Sequence, residues 1–441
     1  MDSRPALIGF IPTLTGIFKT GAGYSENQQW INIGDIVYTY AGAMLTAGES
    51  FEIWNFSMSA EEVNEKFSKV IFFIPCRIAP PPYSNDGYTY SKVIEFIEKL
   101  QIPFYSLSES IQSDSYEYEV DFHKKITPEV HRYLSVVSEK SPIVGVRGDY
   151  SAEVLNSLGI KNACPLGCPS LYVNGPQLKS ALLKVPDNPR KIAGAYSNYQ
   201  GNQRSRINDF LNLLNNQDSY YVEQTFGLLA KCLYYPGKLQ ALDFYRAEIF
   251  YKDFLPIKSL LSKNKVRYFT NYTTWKRFLS GMDFVVGARM HGLTPAIHAG
   301  IPSLFIAHDA RVREMCEYFD LPFIAESNIP SNFNIAYLLD KCDYSKAFTK
   351  YSVRYKNFVQ VLKKIGLGSN FDSDGNIIEY WEPAENISIA ETELNPCFTE
   401  VDYSYFNEQL KRYEEIPKYA FENILEIDKL AEENYKARFK F

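Results

Sequence analysis

The sequence predicts an α/β protein with two doubly wound, Rossmann-like domains and a helical C-terminal extension. Three observations support this fold class. Short apolar runs alternate with helix-like segments along most of the chain, which is the pattern of parallel strands joined by helical crossovers. The alternation occurs in two series, separated by a stretch rich in glycine and proline. Finally, 441 residues, 46% of them hydrophobic, are enough to build two domains.

The first series runs from the amino terminus to about residue 146. Its strand-like runs are residues 6–11, 70–74, 103–107 and 143–146. Its helix-like segments are residues 35–45, 90–100 and 128–138. Each strand is short and apolar, as expected for strands that are buried on both faces of a parallel sheet.

The second series begins after a linker at residues 173–191, where glycine and three prolines interrupt the periodicity. Its strand-like runs are residues 192–196, 220–222, 266–269, 284–286 and 303–307. Beyond residue 345 the chain becomes charged and helix-rich. We therefore predict domains at residues 1–175 and 190–345, followed by a helical extension at residues 346–441.

Composition excludes several classes of protein. The net charge of -6 argues against a nucleic-acid binder, which needs a basic surface to neutralise phosphates. Seven mostly scattered cysteines do not suggest a disulfide framework and fit a reducing compartment. No apolar run is long enough to span a membrane, and the amino terminus lacks a signal-peptide pattern. We expect a cytoplasmic protein.

The basic end of the chain leaves two interpretations open. Lys436, Arg438 and Lys440 stand beside two phenylalanines, a combination that can touch the inner face of an anionic membrane. Three positive charges are a weak lipid signal, so a solvated helix end is the preferred interpretation. At most, we expect peripheral contact with a membrane.

The most informative segment is residues 283–315, in which an apolar strand ends in a glycine and is followed by Arg289 and His291. Ligands of open α/β sheets bind at the carboxyl ends of the strands, beside helix N-termini that favour anions. His291 can donate a proton or hold an oxyanion near neutral pH. His298 falls within the next helix and is interpreted as a packed histidine.

The next strand repeats this pattern with a second polar cluster. After residues 302–307 come His308, Asp309, Arg311, Arg313 and Glu314. The two arginines are alternative anion ligands, and Asp309 or Glu314 can orient them. A purely structural network of ion pairs explains the same residues.

Two clusters in the first series complete the candidate site. Asn32 and Gly34 allow a tight turn before Asp35, which is either a helix cap or a functional acid after a glycine-rich segment at residues 20–29. Arg147 follows a strand and suits a carboxylate or phosphate, with a surface ion pair as the alternative. Asp149 or Ser151 can cap the helix that we predict to begin near residue 152.

Several common chemistries lack support. The chain contains no P-loop, no G-x-G-x-x-G after a strand, no H-E-x-x-H and no G-x-S-x-G. No two acids stand at a spacing that requires a metal, so we expect no metal and no other cofactor.

Taken together, four segments resemble the polysaccharide pyruvyl transferase family. They are NIGD at residues 32–35, VRGDYSAEVLNSLG at 146–159, GCPSL at 167–171 and VVGARMHGLTPAIHAGIPSLFIAHDARVRE at 285–314. The resemblance covers the chain to about residue 325. It implies a GT-B-like arrangement of the two domains, with the acceptor on the first and the donor on the second.

The resemblance also implies a reaction, the transfer of a pyruvyl group from phosphoenolpyruvate to sugar hydroxyls as a ketal. Phosphoenolpyruvate is then the donor substrate, and a sugar or lipid-linked glycan is the acceptor.

Roles follow from the resemblance for individual residues. It places His291 at the donor phosphate or as general acid, and Asp35 as base or acceptor-positioning group. The donor-binding residues are Arg147, Arg289, Arg311 and Gly292. The acceptor or positioning residues are Asn32, Gly34, Ser151, Asp309 and Glu314.

Two other functions remain open at this point. A GT-B glycosyltransferase that uses a nucleotide sugar in bacterial-type surface polysaccharide synthesis would share the two sheets and the basic groups. A glycan-binding protein without activity would keep the aromatic residues but would not need Arg289, His291 and Arg311 to converge.

Overall fold

A computed structural model describes most of the chain. The described residues are 4–9, 33–47, 51–54, 58–73, 77–81, 87–113, 115–178, 184–196, 206–224, 228–234, 236–248, 251, 253–269, 272–380 and 400–417. Asn32, the glycine-rich segment at residues 20–29 and the basic end with Lys436, Arg438 and Lys440 lie outside them. Among the described residues, no helix combines the length and apolar character needed to cross a membrane.

The first half of the chain forms a parallel sheet in the order β2-β1-β3-β4-β5-β6. Its strands are β1 (Ala6–Gly9), β2 (Phe51–Trp54), β3 (Lys69–Phe72), β4 (Phe104–Glu109), β5 (Val144–Val146) and β6 (Ala163–Pro165). The helices are α1 (Gly34–Ala47), α2 (Ala60–Lys66), α3 (Gly87–Lys99), α4 (Pro128–Lys140) and α5 (Asp149–Ser157). The central strands are buried on both faces, which explains their continuous apolar runs.

The second half forms another parallel sheet, in the order β12-β11-β10-β7-β8-β9. Its strands are β7 (Lys191–Ala195), β8 (Asp218–Glu223), β9 (Val266–Tyr268), β10 (Phe284–Gly287), β11 (Ser303–Ala307) and β12 (Phe323–Ala325). The helices around it are α6 (Ile207–Asn215), α7 (Leu228–Tyr234), α8 (Ala241–Glu248), α9 (Leu255–Ser262), α10 (Tyr272–Leu279), α11 (Met290–Ala299), α12 (Ala310–Phe319) and α13 (Ile335–Asp340).

These two sheets confirm the predicted fold class. In each of them the strand order reverses once, between β1 and β3 in the first sheet and between β7 and β10 in the second. A ligand that binds an open parallel sheet lies outside the carboxyl ends of the strands at such a reversal. The helix α1 follows β1, and α11 follows β10, so the first turns of these two helices are the places where chemistry is expected.

Short or polar elements account for the strands and helices that the sequence pattern did not predict. The strand β2 has four residues and includes Glu52, while β6 and β12 have three residues each. The glutamate in β2 and the proline in β6 interrupt their apolar runs, and β12 is too short to be told from a loop. The prediction for α5 was also wrong in detail, because this helix begins at Asp149 and its N-cap residue is Gly148, which has no side chain to cap with.

The C-terminal extension returns to both halves of the molecule. The helix α14 (Ala347–Lys364) packs on the first half, where the Tyr351 hydroxyl donates to the carbonyls of Leu171 and Gly175 at 3.0 and 2.8 Å. The helix α15 (Glu400–Glu415) packs on the second half, with the rings of Phe406 and Phe244 4.9 Å apart. The boundaries at residues 175, 190 and 345 remain predictions.

Candidate active site

Asp35 is the second residue of α1 and lies at the centre of the candidate site. Burial is the largest influence on its carboxyl group and raises its pKa from 3.8 to about 7. Arg147, Arg289 and Arg311 act in the opposite direction, because their positive charges favour the carboxylate. The folded chain therefore brings three predicted arginines, from three separate segments, to the predicted acid. At neutral pH this acid is poised between its protonated and charged forms.

Arg147 follows β5 and is only 5% exposed. Its Nε donates to Ser108 Oγ at 3.1 Å, and its backbone N–H donates to the Glu109 carbonyl at 3.1 Å. Its Nη2 is buried and has no hydrogen-bond partner among the described residues. Since a buried N–H group without an acceptor is costly, the Nη2 group of Arg147 is suited to an anionic ligand.

His291 is the second residue of α11, directly after β10. Its pKa lies well below 6.5, mainly because of burial and further because of the positive charges of Arg147 and Arg311. The imidazole is consequently neutral at neutral pH when no anion is bound. An anion held by the same arginines would cancel their charge and raise this pKa.

Tyr38 contacts both His291 of the second sheet domain and Arg147 of the first. Its ring lies 5.1 Å from the His291 ring and 5.3 Å from the Arg147 guanidinium carbon, measured to the ring centroid. Tyr38 stands three positions after Asp35 in α1, so both side chains lie on one face of the helix. Tyr38 is not among the candidates that the sequence pattern indicated. That spacing from Asp35 was the available signal.

Arg311 is held in place by two neighbours. Its Nε and Nη2 donate to Asp309 Oδ2 at 3.0 and 2.7 Å, and its Nη1 donates to Gln112 Oε1 at 2.7 Å. Burial alone would raise the pKa of Asp309, but Arg311 and His308 outweigh it and the pKa is lowered. Asp309 also caps α12 by accepting from the Val312 N–H at 2.9 Å. The predicted orienting role of Asp309 agrees with this geometry.

Glycines permit close packing around the histidine. Gly292 faces the side chain of Gln224, and a Cβ at this position would come within 1.8 Å of Gln224 Nε2. Any larger residue would therefore displace Gln224 or α11. Gly34 is the first residue of α1 and is buried. Packing against Gln224 is enough to explain the glycine at position 292. The predicted role of Gly292 in donor binding stays a prediction.

Ser151 and Glu314 are brought together, but in a contact between the two halves of the chain. The Ser151 N–H and Oγ donate to Glu314 Oε1 and Oε2 at 2.5 and 2.7 Å. Burial raises the pKa of Glu314 to about 7, although the two bonds from Ser151 oppose the shift. Glu314 thus supplies the side-chain cap that Gly148 cannot give to α5. Neither residue is hydrogen-bonded to Asp35, His291 or the three arginines in the described structure.

Arg313 is also engaged away from Asp35. Its Nε donates to Glu317 at 2.8 Å, its Nη1 donates to Glu117 at 3.0 Å, and its guanidinium carbon lies 4.1 Å from the ring centroid of Tyr118. Of the two arginines that the sequence offered as anion ligands, the structure therefore places only Arg311 near Asp35 and His291.

Buried polar residues at the end of β4 were not singled out from the sequence. Ser108, Glu109 and Gln112 are 0%, 1% and 4% exposed. Burial raises the pKa of Glu109 to about 7, against hydrogen bonds from the Tyr133 hydroxyl at 2.6 Å and from Ser106 Oγ at 3.1 Å. The available signal was the four serines and the single acid in YSLSESIQS, which begin within an apolar run.

The arrangement combines three arginines with Asp35, whose pKa of about 7 permits proton exchange near neutral pH, and with the neutral imidazole of His291. The arginines suit a ligand with more than one anionic group, and Asp35 and His291 lie beside them. Within the part of the chain that the structure describes, no three histidine, cysteine or acidic side chains are grouped closely enough to hold a metal.

A known protein family matches the sequence. The sequence model described as "Polysaccharide pyruvyl transferase" matches residues 47–310, which is more than half of the chain. The match includes Arg147, Arg289 and His291. Asp35 and Arg311 lie outside it, Arg311 by one residue. No curated protein sequence matches the chain significantly.

Solved structures give distant likenesses. An uncharacterized protein of Klebsiella pneumoniae is 12% identical, with 73% of this chain and 93% of that chain covered and a TM-score of 0.36. The UDP-GlcNAc 2-epimerase of Neisseria meningitidis, bound to UDP-GlcNAc, is 13% identical, with 81% and 99% covered and a TM-score of 0.39. The UDP-GlcNAc 2-epimerase of Methanocaldococcus jannaschii is 9% identical, with 81% and 99% covered and a TM-score of 0.37. Likenesses at this distance say nothing about the reaction of this chain.

Proposed function

The chain belongs to the polysaccharide pyruvyl transferase family, and from this premise we propose that it transfers a pyruvyl group from phosphoenolpyruvate to two hydroxyls of a sugar, forming a ketal. The observation that carries the proposal is the convergence of Arg147, Arg289 and Arg311 around Asp35. In this proposal, the arginines bind the anionic donor, and Asp35 and His291 exchange protons.

The donor matches the charge of the pocket. Phosphoenolpyruvate has a carboxylate and a phosphate on the same carbon, so it needs cationic groups from more than one direction. Arginine forms paired hydrogen bonds with either anion, which a lysine cannot do. The unpaired Nη2 of Arg147 is available for one of these bonds. Arg311 keeps its orientation through Asp309 and Gln112.

The chemistry requires proton transfer in both directions. A proton adds to the methylene carbon of phosphoenolpyruvate, and a sugar hydroxyl attacks the adjacent carbon and loses its proton. Phosphate then leaves with the electron pair of its C–O bond, and a second hydroxyl attacks the same carbon and loses its proton. One sugar proton replaces the proton given to the methyl group, and the other leaves with phosphate, so the reaction consumes no water.

Asp35 and His291 divide these tasks. The carboxylate form of Asp35 accepts the proton of the attacking hydroxyl, and a pKa of about 7 leaves enough of this form near neutral pH. His291 is neutral in the free site. The donor anions oppose the charges of Arg147 and Arg311, which lower the pKa of His291 in addition to burial, and we propose that His291 acts as general acid when phosphoenolpyruvate is bound.

The acceptor is a sugar or lipid-linked glycan that approaches from the first half of the chain, where Gly34 and Asp35 begin α1. The protein acts in the cytoplasm, where phosphoenolpyruvate is available, or at the inner face of the membrane if the glycan is lipid-linked. No other cofactor takes part.

The test is incubation of the full chain with phosphoenolpyruvate and a panel of sugars, followed by phosphate release and by mass spectrometry of the sugar. We expect acceptor-dependent release of phosphate and a sugar product heavier by one pyruvyl ketal. In Arg147→Met both signals should disappear. The control is Arg132→Met, which removes an exposed arginine of α4 that pairs with Glu98 and lies outside the proposed site.

The same assay, with nucleotide sugars added as donors, also tests the alternative function. Products from nucleotide sugars that gain a sugar, with no reaction of phosphoenolpyruvate, would replace the proposal by a GT-B glycosyltransferase. Failure of phosphoenolpyruvate to bind to the wild-type protein at millimolar concentration, measured by calorimetry, would also reject the proposal without any need for the true acceptor.

A further inference from the structure

The segment at residues 167–171, GCPSL, has no role in the chemistry described so far. It follows β6 and has a fixed shape. Gly167 has a φ of +75°, which favours glycine, and a Cβ there would come within 2.5 Å of Phe319 Cζ. A 3-10 turn at Pro169–Tyr172 follows. Cys168 lies between these two features and is fully buried.

This segment contacts both histidines of α11. The Sγ of Cys168 lies 3.4 Å from Nε2 of His291. The carbonyl of Ser170 lies 2.6 Å from Nε2 of His298, and His298 Nδ1 lies 2.6 Å from the Tyr272 hydroxyl. Because a carbonyl only accepts, Nε2 of His298 carries the proton and Nδ1 accepts from Tyr272. The tautomer of His298 is therefore determined by its surroundings.

One further contact links the two histidines. The Sγ of Cys168 lies 3.0 Å from Ser170 Oγ. A chain of contacts thus runs from Tyr272 through His298, Ser170 and Cys168 to His291. It is buried along its length until it reaches His291, whose side chain is partly accessible.

The two nitrogens of His291 have different surroundings. Nε2 faces the Cys168 thiol, while Nδ1 has no hydrogen bond to any described residue. A thiol has a proton to give and lone pairs to accept with, so Cys168 can hold either tautomer of a neutral imidazole. In both cases, it occupies Nε2 and limits rotation of the ring. The nitrogen that remains for a ligand is Nδ1.

We propose that Cys168 is a positioning residue for His291, which holds the ring through Nε2 so that Nδ1 is the nitrogen presented to the donor anion. The inference rests on the proposed function for the identity of the donor, phosphoenolpyruvate. The contact between Cys168 and His291 is independent of that identity. A bond to one ring nitrogen commonly decides which role the other one plays.

The direct test is nitrogen NMR of the histidine side chains in the full-length protein. The chain has five histidines, and His291→Gln identifies the signals of interest. In the donor-free protein, Cys168→Ala should change the shifts of both His291 nitrogens, because the ring loses its partner at Nε2. Cys168→Ser should restore them largely, since a hydroxyl also donates and accepts. The matched control is Cys164→Ala, because Cys164 is the other cysteine of this stretch and is only half-buried.

Addition of phosphoenolpyruvate without an acceptor then shows which His291 nitrogen contacts the donor. We expect the Nδ1 signal to move, because this nitrogen contacts the donor anion; the Nε2 signal moves as well where the bound imidazole gains its proton at Nε2. If Cys168→Ala leaves the spectrum of the free protein unchanged, the positioning role is rejected. If Nε2 moves and Nδ1 does not, the orientation is rejected. If calorimetry detects no binding of phosphoenolpyruvate, the proposed function fails, and the free-protein spectra still decide the role of Cys168.

Kinetics provide a second reading. Cys168→Ala should lower kcat by about tenfold or more with little change in KM for phosphoenolpyruvate, because a ring that rotates spends less time in the productive orientation. The pH profile of kcat should shift as well, and Cys168→Ser should recover most of the activity. A loss that is equal in both variants, with an unchanged pH profile, indicates a packing role only and contradicts the proposal.

Discussion

The segments that follow β10 and β11 carry similar residues but use them differently. Both emerge at the carboxyl edge of the second sheet, and both contain histidine and arginine. After β10, Arg289 acts on Asp35 of the first half, while His291 lies against the ring of Tyr38 and feels the charge of Arg147. After β11, most charges are engaged in ion pairs or in contacts between the two halves of the chain.

The position of each side chain along its helix explains the difference. His291 lies in the first turn of α11, at the reversal of strand order between β7 and β10. The helix α12 is displaced by one strand and lies against the first half, where the Ala310 N–H donates to the Ser115 carbonyl at 2.7 Å. Arg313 and Glu314 are therefore used in assembly. Arg311 belongs to both groups, since it pairs with Asp309 and also acts on Asp35.

The largest effect should come from the β10 segment. His291→Ala should lower kcat/KM by about a thousandfold, in the range expected for loss of a group that transfers protons. The melting temperature should change little, because the side chain is partly accessible. Phosphate release and thermal denaturation measure the two quantities. An active variant with unchanged turnover would remove His291 from the mechanism.

The second prediction concerns Arg311, which pairs with Asp309 in its own segment and also acts on Asp35. Arg311→Lys should raise KM for phosphoenolpyruvate by roughly 10- to 100-fold, because lysine keeps the charge but loses the paired geometry with Asp309 and the donor. The turnover number should fall less than KM rises. The comparison variant is Arg313→Lys, whose side chain contacts Glu117 and Glu317, and its KM should stay near that of the wild type.

Glu314 tests whether the β11 segment serves assembly. Glu314→Ala leaves the Ser151 N–H and hydroxyl buried without their acceptor, which should cost about 2 kcal/mol of unfolding free energy. The melting temperature should fall by several degrees, while phosphoenolpyruvate affinity falls less than in Arg311→Lys. Denaturant unfolding and calorimetric titration measure these effects. If the variant kept full stability and lost donor affinity, Glu314 would belong to the donor site.

The smallest effect is the contribution of Asp35 to the pH dependence of protein stability. Its pKa is about 7 in the folded protein and 3.8 as a free side chain, so the folded state binds this proton more tightly. The free energy of unfolding therefore falls, through this group, as pH rises from about 4 to above 7. Asparagine resembles the protonated acid, so Asp35→Asn should remove this decline in the free energy of unfolding.

The measurement is the melting temperature of wild type and Asp35→Asn at pH 5 and pH 8. The variant should be more stable than the wild type at pH 8 by about 2 °C or more, with a smaller difference at pH 5. The same substitution should reduce pyruvyl transfer at all pH values, since asparagine cannot accept a proton. An equal difference in melting temperature at both pH values would show that the Asp35 proton does not contribute to stability.

The sequence by itself determined the fold class, most strands of both sheets and the principal candidates of the site. Apolar periodicity located β10 and β11, and the polar residues after them indicated the carboxyl edge. Local pattern carries this information because buried strands must be apolar and because ligands bind where strands end. The strands β2, β6 and β12 were missed, because Glu52 interrupts β2, Pro165 ends β6, and β12 is an apolar run of only three residues.

Only the tertiary structure decided which of the polar residues act together. From the sequence, Arg311 and Arg313 are alternative anion ligands, the family resemblance favours Arg311, and Ser151 is either a helix cap or a positioning residue. The fold turns Arg311 towards Asp35, directs Arg313 to Glu117 and Glu317, and lets Glu314 cap a helix 163 positions away. It also places Cys168 against His291, 123 positions apart. Such contacts depend on how two sheets pack against each other, and no local pattern in a single chain records that geometry.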